Sequence, residues 1–438
     1  MNAGMSRAKG IQDVGAVLCL VCIMTFPASF LLLKVAGILV FLATQAFGLF
    51  RVKHFKIYPR LLLFYGIVAG AGLAWSLLGM YYGNSQVGIN DALRLWCLWS
   101  FVYAFFFTLL RQDGSLRRIH HALVISGILI SALNLAGLLD SFAMTGFFSA
   151  AMRKELDMVV GFHDGYIQIT SMNIGPLFFI VPYLFALRMR KDAGPLNNGL
   201  SLLALVASIL LAAVSGRRAL WVCVLLAPLL VHGLSWLSSS LSLLKRRHRF
   251  VVMVLAVGLI LLVPLVIAIG HSLDSAILGH FLEAFSAEDE RTGQLWYLLA
   301  GFREYPIFGS GFAGTLKNIP FIRGQDVPWM FELTYWTLLF NLGVVGMAGF
   351  LGVFGLFMRW VIQSMRRYTK TSAMPFALLV GLLSFMVGVY SNPYLGSFDF
   401  LVYLGILPYL STFRHGFVDY PDQKGEQPLA SGTAMGSV

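Results

Sequence analysis

Charge is scarce in this sequence. Only 12% of its 438 residues are Asp, Glu, Lys or Arg, against about 25% in a soluble domain, which excludes a freely soluble globular protein. Cysteine is scarce as well. Cys19, Cys22, Cys97 and Cys223 all fall in apolar stretches, so neither a disulfide framework nor a thiolate metal site is implied. His163, His271 and His280 lack any metal-ligand spacing. There is no P-loop, no dinucleotide fingerprint and no nucleophile elbow. ATP-driven and acyl-enzyme chemistry therefore have no support, and no metal or cofactor is expected. The apolar runs do not alternate with polar residues, which excludes an outer-membrane barrel.

What fills the chain instead is hydrophobic sequence, 58% of residues with a mean hydropathy of +0.78. The pattern predicts an all-α, polytopic helical membrane protein with about 12 transmembrane helices, each near the ~20 residues a bilayer requires. The spans read as 14–33, 35–50, 61–82, 95–110, 121–139, 171–187, 200–214, 219–240, 250–270, 333–357, 374–391 and 398–413. Residues 1–418 form a single integral membrane domain on this reading. Residues 419–438 are a small, polar, disordered cytoplasmic tail. No small-residue cleavage site follows the first span, so it reads as a retained anchor.

The net charge of +12 raises nucleic acid as a partner, but its distribution answers otherwise. With the N-terminus in the cytoplasm, most Lys and Arg fall in inner loops and most Asp and Glu outside. The basic loops 51–60, 245–249 and 359–370 share one side. This is the positive-inside rule, and it excludes a nucleic-acid footprint. Both termini are then cytoplasmic, and the substantial outer segments are 83–94, 140–170 and 271–329. The last is a long, structured periplasmic loop between spans nine and ten.

Glu290–Gly311 is the most structured part of that loop. Leu295, Trp296, Leu299 and Phe302 recur at helical spacing. Ser286 and Asp289 resemble a capping box, and Tyr305-Pro306 ends the helix. Gly309-Ser310-Gly311 then provides a turn able to approach a ligand or another backbone closely. Arg291 stands at the first turn, where a cation is slightly unfavourable against the helix dipole. Between spans seven and eight, Ser215-Gly216-Arg217-Arg218 pins two arginines at the outer surface. They read either as snorkelling helix-end residues or as an anion clamp, since guanidinium binds phosphate oxygens in a bidentate way. Glu332 opens the tenth span and reads as a dipole-favoured N-terminal acid or a general base. Behind it, Gly343, Gly346, Gly349, Gly352 and Gly355 form a small-residue stripe for close helix packing. The acidic run Glu288-Asp289-Glu290 reads as a solvated cluster, and loop 140–170, with Arg153, Lys154, His163, Asp164 and Tyr166, as a wet loop of mixed charge.

The combination of SGRRA at 215–219, R-x4-W-x9-PIFGSG at 291–311 and a polar residue opening an L-x-x-x-G-x-x-G span resembles the O-antigen ligase/polymerase family. Tyr390-Ser-Asn-Pro-Tyr394 is similar to a late feature of that family. The resemblance covers 200–355 in detail. It implies a bacterial inner-membrane glycosyltransferase that handles undecaprenyl-diphosphate-linked glycans at its periplasmic face, without metal or cofactor. It assigns Arg218 and Arg291 to stabilise the diphosphate and Glu332 to act as base. Beside these, Arg217, the neighbour of Arg218, and Arg153, Arg303, Trp296, Tyr335 and Asn392 are the candidate substrate-binding residues. Ligases of the family usually carry a histidine where this chain has Glu332, which makes the chain polymerase-like. Implied partners are the lipid-linked substrate, membrane lipid, a flippase and a chain-length regulator. Polymerase, ligase, and a transporter of lipid-linked glycan or small solutes stay open at this stage.

Overall fold

The computed structural model describes residues 2–27, 29–51, 58–110, 115–143, 146–163, 166–239, 242, 244, 290–316, 327–367 and 373–413. The chain order is α1 (Asn2–Thr25), α2 (Leu31–Arg51), α3 (Pro59–Tyr81), α4 (Gln86–Leu110), α5 (Ser115–Ala143) and the short α6 (Ala150–Glu155). A hairpin of β1 (Val159–His163) and β2 (Tyr166–Thr170) follows. Then come α7 (Leu177–Met189), α8 (Gly199–Val214), α9 (Arg218–Leu237), α10 (Glu290–Glu304), α11 (Thr334–Arg367), α12 (Ala373–Val389) and α13 (Phe398–Ser411).

Among the described residues, six helical stretches are long and apolar enough to cross a membrane: α3, α4, α5, Met172–Met189, α9 and α11. Shorter apolar stretches lie in α1, α2, α8, α12 and α13. The chain is thus a helical membrane protein. The expected span 250–270, the loop stretch 271–289 and the tail 419–438 lie outside the described residues.

α7, α12 and α13 form the centre. They are apolar on every side, and a helix of that kind is stable only when surrounded. Phe178, Phe179, Tyr183, Phe376, Leu379, Phe385 and Tyr409 are all fully buried. Gly381 and Gly388 let the rings of Phe179 and Phe178 press against α12. The outer helices keep one apolar face exposed, such as Leu62, Leu73 and Leu77 on α3 and Leu203, Val206 and Leu210 on α8. In a membrane those faces meet lipid.

Several elements differ from the sequence reading. The outer segment 83–94 is mostly helix: Ser85 caps α4 by accepting from the Gly88 N–H, and a π-helical stretch, Leu93–Leu98, carries it onward. The segment 140–170 is ordered by α6 and by an antiparallel hairpin pairing Val159 with Thr170 and Gly161 with Gln168. The β-branched residues Val159, Val160, Ile167 and Ile169 favour the pleat. α11 runs on to Arg366 and Arg367, whose charges suit a helix C-terminus.

Side-chain contacts keep the two sets of connections apart. At one end, Ser29 bonds the Glu155 carbonyl (2.7 Å) and Thr334 bonds the Asn392 carbonyl (2.7 Å). At the other, Arg60 lies over Trp360 and bonds the Ser411 carbonyl, and Arg366 reaches the Leu237 carbonyl (2.8 Å). Near the first end, Lys34 on α2 and Asp399 on α13 pair at 2.6 Å with almost no exposure. The Lys34 ammonium also donates to the Phe26 carbonyl (2.9 Å).

Candidate functional site

The site grows from a break in α11. Gly343 takes φ 63°, ψ −171°, which interrupts the helix. A break strands backbone donors and acceptors that a bilayer cannot satisfy. Here the PIFGSG segment satisfies them. Ser310 N–H donates to the Phe340 carbonyl (2.9 Å) and Gly311 N–H to that of Asn341 (3.0 Å). The N–H groups of Val344 and Val345 donate to the carbonyls of Pro306 (2.9 Å) and Ile307 (3.0 Å). Trp75 donates its indole N–H to the Phe308 and Leu342 carbonyls (2.7 and 3.1 Å). Asn84 donates to the Ser310 and Phe312 carbonyls (2.8 and 2.9 Å). Gly309 and Gly311 both have positive φ, and a Cβ on Gly309 would stand 2.3 Å from the Asn341 oxygen. The turn therefore approaches backbone, one of the two uses its sequence allowed.

α10 ends at Glu304, just before Tyr305-Pro306, as the sequence predicts. Its buried face is rotated from the expected one: Gln294, Leu298 and Gly301 point inward, while Trp296 is 64% exposed. Leu298 packs with Phe331, Leu333 and Phe340. The buried Gln294 amide oxygen accepts from the N–H groups of Glu332 (2.8 Å) and Leu333 (3.2 Å). That contact seats α10 on the entry to α11 and fixes the half-buried Glu332 beneath it. Arg291 lies one turn before Gln294 on the same helix. Its side chain, Ser286 and Asp289, and the acidic residues 288–289 lie outside the described set.

The two arginines of the α8–α9 turn part company. Arg218 is exposed. Arg217 turns inward, donating from Nη1 to the Tyr394 hydroxyl (2.7 Å) and from Nη2 to the Ser171 carbonyl (2.8 Å). Its buried Nε finds no acceptor among the described residues. Both partners are neutral, whereas Lys34, Arg153 and Arg190 each face a carboxylate. Gly216, at φ 62°, makes this turn possible; a Cβ there would overlap the Gln168 side chain. Beneath Arg217, Ser171 donates to Asn134 (2.7 Å) and Asn134 to Asn173 (2.9 Å), a buried polar network.

The turn 392–394 joins the two halves. Thr334, two residues after Glu332, holds the Asn392 carbonyl, and Tyr394 holds Arg217. Asn392 itself donates to the Gly388 carbonyl (3.0 Å) and finishes α12. Tyr335 spends its hydroxyl on the Met386 carbonyl. Arg153 is committed to Asp140 (2.5 Å) and Ser141 (2.9 Å), and Asp140 also accepts from the Phe147 and Phe148 N–H groups. Arg303 is exposed in the last turn of α10. The structure thus brings together Arg217, Glu332, Tyr335 and Asn392, seats the helix bearing Arg291 over them, and places Arg153 in a separate ion pair.

A cavity of about 440 Å³ adjoins this cluster, walled by α4, Phe312, residues 329–341 and residues 393–398. Gln294 and Ser171 are residues that sequence reasoning did not single out, whereas Tyr394 closes the Tyr390–Tyr394 feature noted there. Of the two, only Gln294 carried a signal, a polar residue four before Leu298 on a helix that must dock. Among the described residues, no three His, Cys, Asp or Glu side chains cluster closely enough to hold a metal ion. No protein-family model matches the chain, and no curated protein does.

Proposed function

We propose that the protein is a membrane glycosyltransferase. It transfers glycan from an undecaprenyl-diphosphate carrier to an acceptor glycan at the periplasmic face of the bacterial inner membrane, with inversion at C1, and so polymerises O-antigen or exopolysaccharide repeat units. The observation that carries this reading is Arg217, a half-buried cation that, among the described residues, has neutral partners and an Nε–H without an acceptor. A buried charge without a counter-charge is costly, and an oxyanion such as a diphosphate would offset it. Arg291, on the helix seated over Glu332, supplies a second guanidinium in this scheme. Glu332 takes the proton from the acceptor hydroxyl as its oxygen bonds to C1. The C1–O bond breaks, and the electron pair leaves on the lipid diphosphate, which the arginines stabilise.

Two other readings have distinct support. The PIFGSG segment and the arginine-bearing turn resemble ligases as well as polymerases, so transfer of finished polymer to lipid A–core is the first alternative. The broken α11 favours transport, because transporters build sites from interrupted helices. A gene deletion separates all three when surface glycan and the lipid-linked pool are read on gels. Core lipid bearing a single repeat, with the ladder lost, supports a polymerase. Bare core lipid with long polymer stranded on its carrier supports a ligase. Unchanged pools overturn glycan transfer and leave transport.

A further inference from the structure

The cavity beside α4 holds three tryptophans from two chain segments, and each is positioned by a specific contact. Trp96 belongs to the π-helical turn and fits against α3 because Gly72 has no side chain; a Cβ there would lie 2.6 Å from that of Trp96. Its ring is parallel to Phe312 at 6.1 Å. Trp99 stacks on Phe398 at 4.1 Å. Trp329 lies against Gly88, where a Cβ would meet its ring at 2.7 Å. The rings are thus held in place before any ligand arrives, and π-helical turns recur at functional sites. Polar groups from Thr334, Thr337, Asn341 and Ser397 lie between them. Among the described residues the one cation in the wall is Arg94, exposed and 3.6 Å from Asp91. A volume near 440 Å³ falls within the ~300–1,000 Å³ range of small-molecule sites.

We propose that this cavity is the subsite for the acceptor sugar, binding one or two pyranose rings by stacking on tryptophan and hydrogen bonding to the threonine, asparagine and serine side chains. A pyranose has an apolar C–H face and a hydroxyl edge, the two surfaces this wall offers. A diphosphate would find one cation among the described residues of the wall, Arg94, and beside it the carboxylate of Asp91. The hydroxyl protons of Thr334, Thr337 and Ser397 are already donated to the Asn392 and Leu333 carbonyls and the Asp399 carboxylate, which leaves their oxygens as acceptors for sugar hydroxyls; an isoprenoid tail would cover those oxygens without a hydrogen bond in return. The placement deepens the proposed transfer reaction and rests on it for the word acceptor. Phe331 and Thr334 in the wall flank Glu332, and Pro393 and Leu395 flank the Tyr394 that holds Arg217. A sugar in the cavity therefore lies against both halves of the site.

Saturation-transfer NMR on the purified full-length protein in detergent tests this, with methyl glycosides of glucose, galactose, mannose and N-acetylglucosamine as probes. At least one glycoside receives magnetisation. Trp329→Ala weakens its binding about tenfold, the scale of one aromatic contact. Trp236→Ala, an exposed tryptophan at the end of α9, leaves binding unchanged, and thermal unfolding shows both variants folded. If no glycoside binds, or Trp329→Ala binds as the parent does, the subsite is wrong. Displacement of bound glycoside by farnesyl phosphate reassigns the cavity to the lipid tail and also overturns the proposal. Binding does not require turnover, so glycoside binding with unchanged glycan pools on gene deletion upholds a sugar site and removes the transferase reading. Lost ladder without glycoside binding does the reverse.

Discussion

Arg217 and Arg218 are neighbours in sequence and opposites in environment. The turn at Gly216 sends one guanidinium to Tyr394 and Ser171 and leaves the other exposed. The resemblance assigned the diphosphate to Arg218 and Arg291; in the proposed reaction the inward-turned Arg217 takes the part given to Arg218. Arg217→Ala should lower glycan transfer by about 10²–10³, the usual cost of one preorganised electrostatic donor, with Arg217→Lys recovering little because a point charge cannot hold both partners. Arg218→Ala should stay within a few-fold. The check is ladder formation in the deletion strain carrying each variant at matched membrane levels; equal losses at both positions would sink the distinction. A separate pair governs stability. Lys34 and Asp399 are both buried, so Lys34→Ala or Asp399→Ala leaves an uncompensated charge and should cost about 3–5 kcal/mol. Replacing both by apolar residues should cost less than either alone, as thermal unfolding in detergent would show.

At the level of elements, the break in α11 and the PIFGSG segment form one unit, each supplying the hydrogen bonds the other lacks. Gly343→Ala must hold a side chain at positive φ, about 1–3 kcal/mol of strain, and its Cβ would stand 2.4 Å from the Gly309 nitrogen and the Ile307 oxygen. It should lower the unfolding temperature and the yield of folded protein. Gly349→Ala is the informative contrast. No described atom lies within 4 Å of its Cβ position, so it should be neutral or stabilise by up to ~1 kcal/mol through helix propensity. Similar losses at both glycines would mean that the five-glycine stripe acts as one packing surface, as its spacing suggested.

That stripe shows where reading the sequence stopped. Hydropathy located the helices, and Tyr305-Pro306 and the two turn glycines were legible because proline and glycine act on their own backbone. The use of Gly343 was not legible: it depends on PIFGSG, more than thirty residues earlier, supplying partners for Phe340, Asn341, Val344 and Val345. The orientation of α10 failed for a similar reason. Leu295, Trp296, Leu299 and Phe302 made an apolar stripe, but an exposed apolar side chain such as Trp296 is ordinary on a protein surface. Two backbone N–H groups needing an acceptor then drew Gln294 inward. Within the candidate site, Glu332 and the 392–394 turn stood out in sequence, while the choice of Arg217 over Arg218 rested on a single positive-φ glycine.

For the molecule as a whole, the contacts divide the connections into two sets, and the charge pattern assigns each set a side. Asp91, Arg94, Arg218 and Arg303 are exposed within the set that surrounds the candidate site, and Lys191 is exposed within the other. On the proposed topology the positive-inside rule would put the first set in the periplasm. Single cysteines at Asp91, Arg303 and Lys191, in a background with Cys19, Cys22, Cys97 and Cys223 replaced by alanine, make this measurable. A membrane-impermeant maleimide that passes the outer membrane should label Asp91→Cys and Arg303→Cys in intact cells, and Lys191→Cys only after the inner membrane is opened. Labelling of Lys191→Cys alone in intact cells would invert the protein and place Arg217 and Glu332 on the cytoplasmic face. A lipid-linked glycan already flipped to the periplasm could not reach them there, so the transferase reading would fall with the topology. Opposite-side labelling of Asp91→Cys and Arg303→Cys is a pattern the contacts forbid, because Asn84 binds Ser310 and Phe312 and Trp329 packs on Gly88, joining the segments that carry them.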